Sequence, residues 1–412
     1  MLSTSFSPWP SFSEEEANAV RDVILSNQVN YWTGQECREF EKEFAAWAGT
    51  KYAIALANGT VALDVALQAL GIGAGDEVVV TPRTFLASVS SIINVGAVPV
   101  FAEVDRDSQN ITAETIRAVL TPRTRAVICV HLAGWPCDMD PIMALAAGHD
   151  FKVIEDCAQA HGAYYKGRPV GSIGDIGAWS FCQDKIMTTG GEGGMVTTNG
   201  RELWSLMWSL KDHGKSWEAV YEREHKPGFR WLHERFGTNG RMMEVQAVIG
   251  RIQLRRMADW QRVRLANAQR IWDSASRLHG LRVPEFAESS RHAAYKCYVF
   301  VEPQALKPGW DRDRIQNEII ALGIPCYSGS CSEVYLEKAF DDTPYRPAER
   351  LPVARELGET SLMFLIHPTL TAVELERSCD VLAEVMGQAA VQANAPTRTA
   401  ANATSVDLIV AL

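Results

Sequence analysis

Between Tyr52 and Leu210 the chain alternates short apolar runs with stretches of helical periodicity, and this alternation narrows the fold more than any other feature. The runs at 52–56, 77–80, 98–100, 126–130 and 151–154 read as strands, and helices are expected between them over 58–70, 84–95, 112–120 and 141–148. Such an order builds a parallel sheet with helices on both faces. Ligands of open α/β sheets gather at the carboxyl ends of the strands. Polar residues there are therefore candidates, and the strand ending at Ile154 runs straight into Glu155, Asp156 and then Gln159.

Two further stretches carry chemistry. Asn58-Gly59-Thr60 is a small turn that opens a helix, where amide groups and the helix dipole can cradle a phosphate. Gly177 to Asn199 reads as a strand over 178–181, a single lysine, Lys185, on the following loop, a glycine run and a second strand over 195–198. A lysine amine with its ordinary pKa near ~10.4 is almost wholly protonated at neutral pH, so it attacks a carbonyl only when desolvated or already held as an imine. Each of these has a plainer reading on its own: a solvated loop lysine, a solvated acidic pair, a common Asn-Gly turn. Gly71-Ile-Gly-Ala-Gly75 follows a helix and precedes a strand, the wrong order for a dinucleotide fingerprint, and is a helix stop.

The chain has 412 residues, which calls for more than one domain. Helices are expected over 14–24 and 36–47, a further helix over 202–210, and an ordered surface loop over 215–240. The longest helical pattern, 242–278, suits a connector. Beyond it a strand (295–301), a helix (312–322), a strand (361–366) and a helix (371–386) read as a smaller α+β unit. The expected division is an N-terminal arm and helix over 1–35, a large unit over 36–270, a small one over 271–386, and a mobile tail over 387–412.

A net charge of −10 argues against nucleic acid or an anionic membrane surface as the main partner. No run of about 18 apolar residues suggests a membrane span. The first 20 residues lack the basic and apolar regions of a secretory signal, so a cytoplasmic protein is expected. The nine cysteines are scattered, odd in number and mostly within apolar runs, which suits reduced, buried thiols. Cys326 and Cys331 have no second pair at ligand spacing, so no metal site is expected.

A phosphate cradle, an aromatic residue at a helix start (Phe85), an aspartate at a strand end and a lysine are the parts that pyridoxal phosphate requires, and they arrive in a consistent order. The segments Glu155-Asp-Cys-Ala-Gln-Ala-His-Gly-Ala163, Ser180-Phe-Cys-Gln-Asp-Lys185, Gly191-Glu-Gly-Gly-Met-Val196 and Asn239-Gly-Arg-Met-Met-Glu-Val-Gln246 resemble the DegT/DnrJ/EryC1/StrS family of PLP-dependent nucleotide-sugar aminotransferases. The resemblance runs from about residue 8 to 386 and implies a type I aminotransferase fold, a large, mainly parallel sheet domain flanked by helices plus a smaller C-terminal α+β domain. It implies that Lys185 is the Schiff-base lysine and acid/base, that Asp156 partners the pyridine nitrogen, and that Gln159 neighbours the cofactor's phenolic oxygen. Gly59, Thr60 and Ser180 would hold the phosphate, Phe85 would stack on the ring, and Asn239 would reach the cofactor of a neighbouring subunit in a homodimer. His213 and Arg241 are lesser candidates for substrate contact. The implied reaction moves an amino group, typically from glutamate, to a nucleotide-linked keto-sugar.

The chain departs from many relatives at Tyr295-Lys296-Cys-Tyr298 and at Cys326-Tyr-Ser-Gly-Ser-Cys331, segments that border the sugar site, so sugar identity stays open. Rival readings are a PLP-dependent dehydratase of the same fold, in which histidine replaces the lysine, and a non-catalytic sensor. Lys185 weighs against both.

Overall fold

In the computed structural model, which describes residues 6–285 and 290–391, helices α1 (Glu14–Leu25) and α2 (Glu36–Trp47) precede the alternating segment. That segment then supplies β1 (Tyr52–Leu56), α3 (Gly59–Ala69), β2 (Glu77–Val80), α4 (Ala87–Asn94), β3 (Val98–Phe101), α5 (Ala113–Arg117), β4 (Thr124–Val130), α6 (Met139–His149) and β5 (Lys152–Asp156). Short strands β6 (Tyr164–Tyr165) and β7 (Arg168–Pro169) intervene before β8 (Ile176–Ser180), β9 (Gly194–Thr198) and α7 (Arg201–Leu210).

Seven of these strands form one sheet in the order β1-β9-β8-β5-β4-β2-β3. From β3 to β8 every pairing is parallel, whereas β9 runs antiparallel to both β8 and β1. The parallel sheet expected from the sequence thus contains one reversed strand. The lysine loop that joins β8 to β9 carries no crossover helix, so the chain returns as an antiparallel neighbour.

Alternation along each strand sends side chains to opposite faces. Ile54, Val78, Ile128, Ile154, Ala178 and Val196 pack with α3, α4 and α7 on one face. On the other, Ala53, Trp179 and Met195 pack with α2, and Val79, Val127 and Val153 pack with α6. The near-continuous apolar strands of the sequence are the consequence of covering on both sides.

Helix α8 (Glu244–Ala275) then runs for 32 residues, about 48 Å at 1.5 Å per residue. Its first half packs on the core of α2, and its last turns, with Ala268, Ile271 and Trp272, pack on a second, antiparallel sheet. That sheet has the order β10-β12-β14-β13, from β10 (Leu281–Arg282), β12 (Cys297–Val301), β13 (Cys326–Tyr327) and β14 (Ser361–Phe364). Strand β11 (Ser290–Arg291) instead joins β6 and β7. Helices α9 (Arg312–Ala321), α10 (Pro352–Thr360) and α11 (Ala372–Ala389) complete the segment.

Several boundaries shift by a few residues from expectation, and two of the shifts have a visible cause. The helix expected over 84–95 starts at Ala87, because the preceding turn is tied elsewhere: Thr84 donates its N–H to the Cys331 carbonyl and Val334 donates to that of Pro82. The expected tail over 387–412 begins too early. Helix α11 continues to Ala389, Ala389 and Ala390 are buried, and Ala390 lies beside Gly280, where a small side chain fits. Residues 392–412 lie outside the described residues. Among the described residues no helix is long and apolar enough to cross a membrane.

Phe44 of α2 has no exposed surface and lies within 5.5 Å, centroid to centroid, of Trp47, Trp179 and Phe181. The Phe44→Ala variant is expected to lose about 3–5 kcal/mol in chemical denaturation of the apo-protein, the usual cost of an aromatic-sized cavity.

Candidate active site

Adjacent carboxylates at the end of β5 face opposite ways. Glu155 shares the face of Val153 and is completely buried. It accepts hydrogen bonds from the amides of Gly171 (2.9 Å), Ile173 (2.8 Å) and Gly174 (2.7 Å) and contacts His131 Nε2 at 3.0 Å. The Cys137 amide donates to His131 Nδ1, so Nε2 carries the hydrogen that His131 gives to Glu155. Burial raises the Glu155 pKa, but His131 and the amides outweigh it and hold the carboxyl below its ordinary 4.5. Cys157 lies close enough to His131 and Glu155 for a metal trio, yet burial pushes its thiol well up and the other two groups are committed to each other.

Asp156 shares the face of Ile154, toward α4. Its Oδ2 accepts from Ser88 Oγ at 2.8 Å and its Oδ1 from the Ala158 amide at 3.1 Å. Ser88 Oγ also lies 2.8 Å from Thr84 Oγ1, and the Ser88 amide donates to the Phe85 carbonyl. Phe85 is thereby tied to Asp156 through one serine, and the residue is 72% exposed. Gln159 fixes its orientation by accepting the Ala133 amide on Oε1 at 2.8 Å, which leaves Nε2 as its donor.

Ser180, two residues beyond the partner of Asp156 on β8, lies on that same face and meets the N-terminus of α3. A Cβ on Gly59 would stand 2.6 Å from the Ser180 Cβ, and one on Gly194 would stand 2.3 Å from the Asn58 carbonyl oxygen. Only glycines permit this approach. Asn58 caps α3 by accepting the Val61 amide, so the first-turn amides of Gly59 and Thr60 stand beside the Ser180 hydroxyl. This donor set suits a phosphate, and Asp156 suits a ring nitrogen on the same face, so these residues fit pyridoxal phosphate.

Lys185 follows on the loop after β8, with its side chain mostly buried. Its Nζ stands 3.9 Å from Asp184 Oδ1 and 5.4 Å from the centre of the Tyr295 ring, while Tyr295 Oη donates to Asp184 Oδ2. Burial tends to raise the Asp184 pKa, but Lys185 and the Tyr295 hydrogen bond prevail and lower it. The loop is held from three sides. Trp9 Nε1 donates to the Lys185 carbonyl at 2.9 Å, Gln253 of α8 accepts the Thr188 amide, and Thr189 Oγ1 donates to the Glu192 carbonyl. Of these supports, sequence reasoning named none. Only the tight Gly190 and Gly191 turn, at φ 88° and 128°, was visible as a glycine run.

Asn239, His213 and Arg241 form a separate cluster beside the β1–α3 turn. Asn239 bridges Asp212, His213 donates its amide to Thr238, and Ala57 donates to Gly240. Both Asn239 and His213 are exposed. Arg241 pairs its Nη1 with the buried Asp212 at 2.7 Å.

The model of the DegT/DnrJ/EryC1/StrS aminotransferase family matches residues 10–383. GDP-perosamine synthase of Caulobacter vibrioides is 37% identical over 379 residues, 89% of this chain and 95% of its own length. An aminotransferase from Psychrobacter cryohalolentis superposes with a TM-score of 0.91 at 65% identity, covering 93% of this chain and 99% of that one. The PLP form of the putative sugar aminotransferase Spr1654 from Streptococcus pneumoniae gives 0.81 at 26% identity, covering 93% and 98%. The fold is thus that of the PLP aminotransferases.

Because the Glu155 pKa is depressed in the folded protein, its contribution is present above the unfolded value near 4.5 and lost as pH falls through the lower folded value. The stability difference between wild type and Glu155→Gln, measured by denaturation across pH 3–7 (a range of about four units), is expected to be full at neutral pH and to shrink on acidification.

Proposed function

This chain belongs to the DegT/DnrJ/EryC1/StrS aminotransferase family, and we propose that it transfers an amino group from L-glutamate to a keto-sugar linked to a nucleotide. The enzyme is a PLP-dependent aminotransferase. The observation that carries the substrate reading is kinship over 89% of the chain with a GDP-perosamine synthase, joined to a lysine, an aspartate and a phosphate-type cradle at one end of the sheet.

When bound, pyridoxal phosphate supplies an electron sink for the carbon that loses or gains the amino group. Gly59, Thr60 and Ser180 hold its phosphate through amides and a hydroxyl. Asp156, steadied by Ser88, holds the proton on the pyridine nitrogen, and Gln159 donates toward the phenolic oxygen. Phe85 covers the ring. Lys185 would take and return the proton at the donor Cα, with its approach set by Asp184 and Tyr295. One site serves both substrates in turn, so ping-pong kinetics are expected.

The reading includes a homodimer in which Asn239 reaches the cofactor of the second subunit. Exposed Phe229, Trp231 and Phe236, the last with its whole surface open, support a partner for the segment that leads into Asn239. The free thiols of all nine cysteines support a reducing, cytoplasmic setting.

The purified protein is expected to absorb in the visible, and Lys185→Ala to abolish that band; a wild type unable to take up PLP defeats the reading. A panel of 3- and 4-keto dTDP-, UDP- and GDP-sugars with glutamate is expected to give turnover with at least one member. No turnover with any would leave the substrate proposal without support. Sedimentation is expected to give a dimer, weakened at least tenfold in Trp231→Asp.

A further inference from the structure

Helix α8 carries an arginine that the site described above does not use. Arg264 is only 2% exposed, and its Nε and Nη2 have no hydrogen-bond partner among the described residues. Its Nη1 makes one long contact, 3.5 Å, to the Tyr295 carbonyl, and its guanidinium lies 4.8 Å from the centre of the Trp9 ring. Burying a guanidinium with two donor nitrogens idle is costly, so such a group normally faces an anion.

The surroundings hold an excess of positive charge. Lys185 Nζ and Lys296 Nζ both lie near the Tyr295 ring, at 5.4 and 4.7 Å from its centre. Burial, joined by the charges of Arg264 and Lys185 and opposed by Asp184, lowers the Lys296 pKa to about 8. The neighbouring imidazoles stay neutral, since burial and the nearby cations push both His161 and His367 down to about 3. One carboxylate, Asp184, faces Lys185 and Lys296, and it is already hydrogen-bonded to Tyr295.

We propose that Arg264, assisted by Lys296, binds a substrate carboxylate beside Lys185. The planar fork of arginine matches a carboxylate. Position selects this ligand over a phosphate, because the phosphate donors stand at the α3 N-terminus, whereas Arg264 is one side chain removed from the lysine: Trp9, which it faces, donates to the Lys185 carbonyl. An α-amino acid must bring its nitrogen to the place of the Lys185 amine, and its carboxylate is bonded to the adjacent carbon. The amino donor is the source the geometry favours, and a uronic acid on the sugar is the other carboxylate of the same chemistry. The inference rests on the aminotransferase reading.

The test is calorimetric titration of the full-length, PLP-loaded protein with glutarate and, separately, with glucuronate. Glutarate is expected to bind wild type, with its Kd raised at least tenfold in Arg264→Gln and severalfold in Lys296→Met. Glucuronate binding lost in the same variants, with no glutarate binding, assigns the site to a sugar carboxylate instead. Unchanged affinities in the variants, or no binding of either acid to wild type, overturns the proposal. Should Arg264→Gln fail to fold, Lys296→Met, a half-buried position, decides. In parallel, glutamate is added to wild type and its visible band followed. Glutarate binding through Arg264 without any glutamate-dependent change overturns the transfer reading and leaves the carboxylate site standing.

Discussion

A carboxylate with no exposed surface must have its lone pairs satisfied inside the protein, and Glu155 is the point at which that demand shapes everything around it. Three consecutive-loop amides from Gly171 to Gly174 and one imidazole meet the demand. The loop that leads into β8 is thereby pinned to the end of β5, and β8 is brought alongside β5 in register. Since neighbouring residues on a strand point to opposite faces, fixing Glu155 on the α6 side fixes Asp156 on the α4 side. The residue proposed to meet the cofactor is thus oriented by one that never touches it.

The lysine loop depends on a different kind of support. It has no regular structure between β8 and β9, so its geometry comes from groups remote in sequence: Trp9, Gln253, and the Tyr295–Asp184 pair. Gln253 also donates to Glu16 of α1, so the N-terminal helix, the connector helix and the loop form one hydrogen-bonded unit. Here the N-terminal segment acts as a strap. Its indole lies between the lysine loop and Arg264, with His367 stacked at 5.9 Å. Aromatic faces are what make a guanidinium tolerable in that position, but they do not satisfy its N–H groups.

Much of the large sheet was legible because its strands are short apolar runs separated by helical periods, a pattern that burial on two faces imposes. The reversed direction of β9 was not legible, since strand direction depends on the connection and not on the strand's own residues. The candidate site was legible where one short segment carried a rule of its own: a glycine where a helix meets a serine, a polar pair at a strand end, a lysine before a glycine run. Ser88, Asp184 and Gln253 escaped notice because a serine, an aspartate and a glutamine on helices or loops have no distinctive spacing. Arg241 stood out in its motif, but its pairing with the buried Asp212 depends on the fold.

The alternation of strand and helix, the cradle glycine, the strand-end carboxylates and the lysine were determined by the sequence itself, because each follows from local backbone freedom or from periodic burial. The tertiary structure alone decided which of the two carboxylates faces the cradle, what steadies Lys185, and that Arg264 is buried with idle donors beside it. Those outcomes depend on contacts between residues up to hundreds of positions apart, such as Trp9 with Lys185, and no local pattern encodes a partner at that distance.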